Sequence, residues 1–391
     1  MHIKLNYLKQ VLDYENRQNI VGIPDIIRRT IYLLGLSAIF INPVAASEVQ
    51  FPRTSLTTAE SFIAQTTAED FLRRGVQKLE TGDFREAIED FNQAIELNPN
   101  LAKAYNNRGV SYFSIGNINR AIADFNRTLE INPNYAMAYN SRGFARLQQG
   151  NLQQALSDFN QAIELKPNNT LFYQNRASVH LTQRNIQGAI SDLNRVIQLD
   201  PNNVQAYADR GVARLQQGDI QQALSDFNQA IELDSDLAMP YNNRGLIYLQ
   251  QGELQEAIAN FNQAIELNAN LFLAYNNRGS ALLEQGKLQE AIADFNQAIK
   301  INPNYAQAYS NRGFVHLQQG NIQQALTDLN QAIEINPNYT SAYYSRGLTR
   351  IQLGKKEEAI ADFQKAADLS RQQGDMTLYQ LSLDQIQMLQ Q

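Results

Sequence analysis

Phe272–Tyr305 reads FLAYNNRGSALLEQGKLQEAIADFNQAIKINPNY. Apolar residues recur three or four apart in two stretches, separated by Gly286 and closed by Asn302-Pro303-Asn304. That spacing predicts two amphipathic helices joined by a tight turn. In helix A, roughly positions 2–14 of the unit, Tyr275 at position 4, Gly279 at position 8 and Leu283 at position 12 fall on one stripe. Gly279 has no Cβ, so helix B can approach closely there. Gly286 at position 15 suits a helix end because glycine enters the left-handed region freely. Helix B stops before Pro303, which cannot donate a further backbone hydrogen bond.

The same unit repeats in both directions every 34 residues, and counting from Ala68 gives nine units ending at Gln373. Gly holds position 8 in eight of them, with Ala177 in the fourth. An aromatic holds position 4 from Phe71 to Tyr343, and Ala holds position 20 from Ala87 to Ala359. Phe or Leu fills position 24 and Pro fills position 32 in six units. Position 16 is Asp or Asn in six units (Asp83, Asn117, Asn151, Asn185, Asp219, Asn321), which predicts N-caps for helix B. Glu86, Gln154, Gln222 and Gln324 three places later fit capping boxes. One such hairpin cannot bury its own apolar face, so stacking against neighbours must supply the core.

This pattern, aromatic–x3–Gly–x11–Ala–x3–Phe–x2–Ala–x4–Pro over about 306 of 391 residues, resembles the tetratricopeptide repeat family. The resemblance implies an all-α, right-handed superhelical solenoid whose concave face is lined by the A helices. Residues 374–391, with Leu378, Leu381, Ile386 and Leu389 among polar neighbours, read as a capping helix that shields the last interface.

Two features depart from the family pattern. Position 7, usually Leu in the family, is Arg in all nine units, including Arg108, Arg142, Arg210, Arg244 and Arg278. Position 23 is acidic in eight, including Asp124, Asp158, Asp226 and Asp294, and is Asn260 in the sixth. An obligatory guanidinium opposite a near-obligatory carboxylate predicts an A-to-B ion-pair ladder, which the five donors of Arg suit better than Lys. A ligand-binding arginine stripe is the competing reading. The fourth unit is irregular, with Ala177 and Arg184 at the two glycine positions and Gly188 inside helix B. The fifth and sixth lack the closing Pro. The middle of the array is therefore expected to be its most deformable part.

The resemblance also implies a peptide groove lined by positions 2, 5, 9, 12 and 13 of helix A. Here those positions offer amides (Asn106, Asn140, Gln174, Asn242, Asn276) and apolar side chains (Met137, Phe144, Leu171, Met239, Leu246, Leu273, Phe314). An apolar wall interleaved with amides would suit an extended partner segment. No unit has Lys at position 5 or Asn at position 9, so the carboxylate clamp of chaperone-tail binders in this family is not expected.

Composition bounds the remaining functions. A net charge of −6 argues against nucleic acid, which needs a clustered basic surface. The absence of cysteine removes thiolate metal sites and Cys nucleophiles, and only His2, His180 and His316 could serve as histidine ligands or bases. No phosphate loop, HExxH or nucleophile elbow is present. Neither an enzyme, a cofactor nor a metal is expected. His180 and His316 both sit at position 11 and read as packing residues.

The N-terminus predicts export. Arg28-Arg29 precede an apolar run, Thr30–Ile41, and then Val44-Ala45-Ala46-Ser47, the layout of a secretory signal cut after Ala46. The run is short for a membrane span, although an uncleaved anchor is the alternative. Residues 1–27 are ordinary polar chain, and a start near Val21 would give a signal of usual length. Residues 47–67, rich in Ser, Thr and Ala, read as a linker. The whole predicts an exported scaffold, in a periplasm or equivalent lumen, that binds a protein segment during assembly of an envelope or membrane complex. The alternative is a cytoplasmic or membrane-tethered adaptor or cochaperone.

Overall fold

The computed structural model describes residues 67–391. The export signal assigned to 1–46 and the linker as far as residue 66 lie outside the described residues. Thr67 is the N-cap of the first helix: its hydroxyl accepts from the Asp70 amide at 3.2 Å, and the Asp70 carboxylate accepts from the Thr67 amide at 3.0 Å. This reciprocal pair starts the repeats.

The described residues form nineteen helices and no strand. Eighteen pair as A and B helices, from Ala68–Thr81 with Phe84–Leu97 to Thr340–Gln352 with Lys356–Gln373. The A helices begin at Ala68, Ala102, Ala136, Thr170, Val204, Ala238, Phe272, Ala306 and Thr340, one per 34-residue step. The fold is an all-α solenoid of tandem helical hairpins. It comprises two compact units, one ending at Ala206 and one running from Tyr207 to Gln391.

Each unit builds its core from the same positions. In the first, Phe91, Phe125 and Phe159 are sealed between helices with Ala87, Ala121 and Ala155. In the second, Phe227, Phe261, Phe295 and Phe363 occupy the equivalent sites. The glycine at position 8 is what admits these rings. A Cβ on Gly279 would stand 2.7 Å from the Phe295 ring, and on Gly245 2.7 Å from Phe261. Repeat 4 solves the same problem differently, pairing Ala177 with the smaller Leu193 in one cluster.

The turns depart in part from expectation. Gly82 and Gly252 end their helices in the left-handed conformation, and Arg184 takes that conformation (φ 57°) where other repeats have glycine. Asn117, Asn185 and Asp219 accept cap hydrogen bonds, whereas the expected caps Asp83, Asn151 and Asn321 do not. Local partners draw these three away: Asp83 accepts from the Thr81 hydroxyl at 2.7 Å, and Asn151 and Asn321 donate to Gln149 and Gln319. At Glu86 no capping box forms; its carboxylate goes to Lys78 at 3.3 Å. The last helix, Met376–Gln390, is capped by Asp375 and buries Leu378 and Leu381 against Tyr344 and Phe363.

Candidate partner-binding face and the arginine ladder

The arginine at position 7 is held on three sides. In repeat 7, Arg278 donates from Nε and Nη2 to Asp294 at 2.8 and 2.6 Å, and from Nη1 to Asn262 of repeat 6 at 2.7 Å. The Tyr275 ring lies 5.6 Å from its guanidinium carbon, within cation–π range. Arg108 and Arg142 repeat this with Asp124 and Asp158 in their own repeats and Asn92 and Asn126 in the preceding ones. Arg210 pairs with Asp226 at 2.7 Å. In repeat 6, Arg244 meets the neutral Asn260 at 2.7 Å and Asn228 at 2.7 Å, and the Asn260 amide returns to its own helix at Glu256.

Sequence reasoning found the carboxylate of this ladder and missed the amide. The Asn at position 25 lies sixteen residues before every arginine from Arg108 to Arg346, as regularly as the Asp lies sixteen after, and that recurrence was the available signal. The missing half matters most, because it makes the ladder cross from one hairpin to the next. With Nε, Nη1 and Nη2 all so engaged, the arginines of repeats 7–9 serve as staples and present no free guanidinium row. Burial pushes the Asp294 carboxyl up and the two Arg278 hydrogen bonds pull it down. The bonds of 2.6–2.8 Å between them are in the charge-assisted range.

Position 11 adds a second cation to the same carboxylate in several repeats. Arg146, Arg214 and Arg350 reach Asp158, Asp226 and Asp362 at 2.6–2.7 Å, and Lys78 reaches Asp90 at 3.1 Å. His180 and His316 stop 3.8 and 3.9 Å from Asp192 and Asp328, beyond a hydrogen bond. Burial is the main influence on both imidazoles and pushes them below their ordinary pKa, so both are neutral at pH 7.

The predicted groove residues divide sharply by burial. Asn106, Asn140, Asn242 and Asn276 are buried, as are Phe144, Leu246 and Phe314. These seven are not an open wall. Phe144 packs on Phe113 with ring centroids 5.4 Å apart, and Leu246 and Phe314 belong to core clusters. The amides bond to one another across repeats. Asn242 donates to Asn243, Asn277 to Asn242, Asn276 to Asn277 and Asn311 to Asn276, at 3.0–3.4 Å. Asn175 donates to Asn140 at 2.8 Å in the first unit. The physical reason is proximity: neighbouring A helices pack so closely that positions 5, 6 and 9 fill the seam and must satisfy their polar atoms there.

Five predicted residues remain half-exposed: Met137, Leu171, Gln174, Met239 and Leu273. Met137 and Leu171 border the Ala136–Ala162–Phe172 cluster of the first unit. Met239 and Leu273 border the Ala264–Leu271–Ala274 cluster of the second. Gln174 donates to Asn203 at 3.2 Å. Position 2 therefore presents a recurrent apolar spot, next to a floor of internally bonded amides. Among the described residues, no cluster of His, Asp or Glu could hold a metal ion, and no helix is long and apolar enough to cross a membrane.

Comparisons with known proteins place these features. A family model described as TPR repeat matches residues 77–116, 245–286 and 279–320. Models described as Tetratricopeptide repeat match 102–135, 136–169, 176–239, 306–339 and 340–373, and together the matches take in most of the chain. No curated protein matches. The chain in the crystal structure of the APC/C hetero-tetramer Cut9-Hcn1 is similar, with 16% identity and a TM-score of 0.56 over 83% of this chain and 64% of that one. A tetratricopeptide repeat protein from Parabacteroides merdae ATCC 43184 is 21% identical, with a TM-score of 0.54 over 63% of this chain and 98% of its own. The chain thus spans just under two thirds of the first of these and nearly all of the second. With the hairpins, the glycine–phenylalanine contacts and the family matches in register, this chain belongs to the tetratricopeptide repeat family.

Proposed function

We propose that the array is a non-enzymatic protein-interaction scaffold whose A-helix face takes a segment of a partner protein. In this reading the protein is exported to a periplasm or equivalent lumen and serves the assembly of an envelope or membrane complex. The observation that carries the binding half is the recurrence of a half-exposed apolar residue at position 2 on successive A helices: Met137 and Leu171, then Met239 and Leu273. Apolar side chains left half-exposed at this one place in repeats 3 and 4, and again in repeats 6 and 7, give each unit a pair of anchors for a partner. The export half rests on residues 28–47 of the sequence.

Photocrosslinking tests the face. A benzophenone side chain placed at Met137 or Leu171, or at Met239 or Leu273, should trap a partner protein in cells. The same group at Gln153, exposed on a B helix, should not. Equal trapping from Gln153, or none from the four, overturns the assignment. Sequencing the N-terminus of the native protein tests export: a chain beginning at Ser47 supports it. An intact N-terminus overturns it and leaves the cytoplasmic or tethered adaptor.

A further inference from the structure

The arginine ladder leaves the carboxylate of repeat 8 half filled beside an open cleft. In repeats 3, 5 and 9 the Oδ2 atom of the position-23 carboxylate accepts twice. The position-7 Nε donates at 2.9–3.1 Å and the position-11 guanidinium at 2.6–2.7 Å. In repeats 5 and 9 that second guanidinium also reaches a backbone carbonyl of helix B, at Gln222 (3.4 Å) and Glu358 (3.2 Å). Repeat 8 has the same carboxylate, Asp328, with Arg312 donating from Nε and Nη2 at 2.8 and 2.6 Å. Its position 11 is His316, which ends 3.9 Å short. A cleft of about 450 Å³ opens where the guanidinium would lie, with Ile292, Asn296, Arg312, His316, Gln324 and Asp328 in its walls.

We propose that this cleft is a guanidinium-binding pocket, on the B-helix side of repeats 7 and 8, that takes an arginine side chain from a partner protein. The chain itself supplies the precedent, since three of its repeats hold a second guanidinium on the same acceptor with the first arginine still in place. The buried Asp328 supplies the charge, and the equivalent of the Gln222 carbonyl in repeat 8 is that of Gln324. His316 Nδ1 is buried with no hydrogen-bond partner, a further acceptor in the tautomer protonated at Nε2. Ile292 gives the methylene stem an apolar wall, as arginine stems require. An anion is disfavoured because Asp328 already offsets Arg312. Repeat 4 does not offer the same socket, since the Asn185 amide approaches His180 Nδ1 at 3.2 Å. The pocket is separate from the A-helix face and does not depend on that face binding anything.

The chain has only three histidines, so ring resonances report on the site directly. Titrating the full chain at neutral pH with acetyl-Ala-Arg-Ala-amide should shift the His316 signals saturably, with half-saturation on the order of millimolar, as a small solvent-facing contact gives. The His180 signals should stay put. The norleucine analogue of the peptide should leave both unchanged. His316→Arg rebuilds the arrangement of repeats 3, 5 and 9, so it should fold, melt higher than wild type and weaken peptide saturation-transfer signals at least tenfold. The proposal is overturned by an unsaturable His316 shift, by equal shifts at His180, or by undiminished binding to His316→Arg. Free arginine binding tenfold more tightly than the peptide overturns the partner-protein source.

Discussion

At the scale of single residues, the ladder separates charge from hydrogen bonding. Arg278→Ala strands the buried Asp294 without its cation, and such a loss costs about 3–5 kcal/mol when fully buried, less for this partly exposed arginine. Arg244→Ala strands only the neutral Asn260 and Asn228, so about 1–2 kcal/mol is expected. Urea midpoints should rank the two in that order, and adding Asp294→Asn to the first should recover part of its loss. Equal losses would mean that packing of the arginine stems, not the charge, is what the ladder contributes. The glycine contact is as local. Gly279→Ala drives a methyl into the Phe295 ring and should cost about 1–3 kcal/mol, and Phe295→Leu should relieve part of that strain in the double variant, as Ala177 with Leu193 does naturally. The histidines set a pH dependence. Burial lowers both imidazoles in the fold, so the unfolded chain gains protons first as pH falls below about 6.5, and stability declines from there. Replacing His180 and His316 by Gln should flatten the urea midpoint between pH 7.5 and 5.5; an unchanged slope would place the effect on carboxylates. Sequence made the Arg–Asp half of this visible because charge complementarity announces itself. The Asn at position 25 did not stand out, because nothing in a single chain says which neighbour a neutral side chain will meet.

At the scale of elements, the helices were legible and their ends only in part. Period 3.6 apolar spacing and the fixed glycines at position 15 place every hairpin between Ala68 and Gln373. An N-cap is a competition among close donors and acceptors, and Thr81, Gln149 and Gln319 win it at three of the six expected caps. Seven of the expected groove residues are buried for a related reason: burial at positions 5 and 9 depends on how tightly neighbouring A helices approach, and the repeat pattern does not encode that distance. Repeat 4 stands out at this scale too. Arg184 holds the left-handed conformation at φ 57°, which costs a non-glycine residue roughly 1–2 kcal/mol. Arg184→Gly should therefore raise the thermal midpoint, reflecting a net stabilisation of about 1 kcal/mol after glycine's added unfolded-state entropy. Gly188 follows from the same turn, because a Cβ there would stand 2.7 Å from the Asn185 amide that caps the helix and 3.0 Å from His180. Gly188→Ala should break that cap and cancel the gain, and a gain that survived it would show that the cap is not what fixes the turn.

At the scale of the whole molecule, stability is built from contacts between adjacent hairpins, and no distant contact can make up for an exposed end. The array deals with its last interface through Met376–Gln390, where Leu378 is sealed and Leu381 nearly so against Tyr344, Phe363, Ala359 and Ala366. That face of the ninth hairpin would lose its cover if the chain stopped at Gly374. Leu378 and Leu381 alone represent about 3–6 kcal/mol of apolar burial, a large share of what one terminal hairpin could hold by itself. In a one-dimensional array the loss should stay near its origin and fade with distance. Hydrogen exchange on a chain ending at Gly374 should therefore show protection falling most in repeat 9, less in repeat 8, and not at all in repeats 1–3. The Arg346 staple to Asn330 at 2.7 Å is the link that passes the effect backward, so Arg346→Ala in the shortened chain should confine the weakening to repeat 9 and release that repeat earlier. If protection instead fell uniformly from repeat 1 to repeat 9, the array would unfold as one cooperative body and the neighbour-by-neighbour account would be wrong.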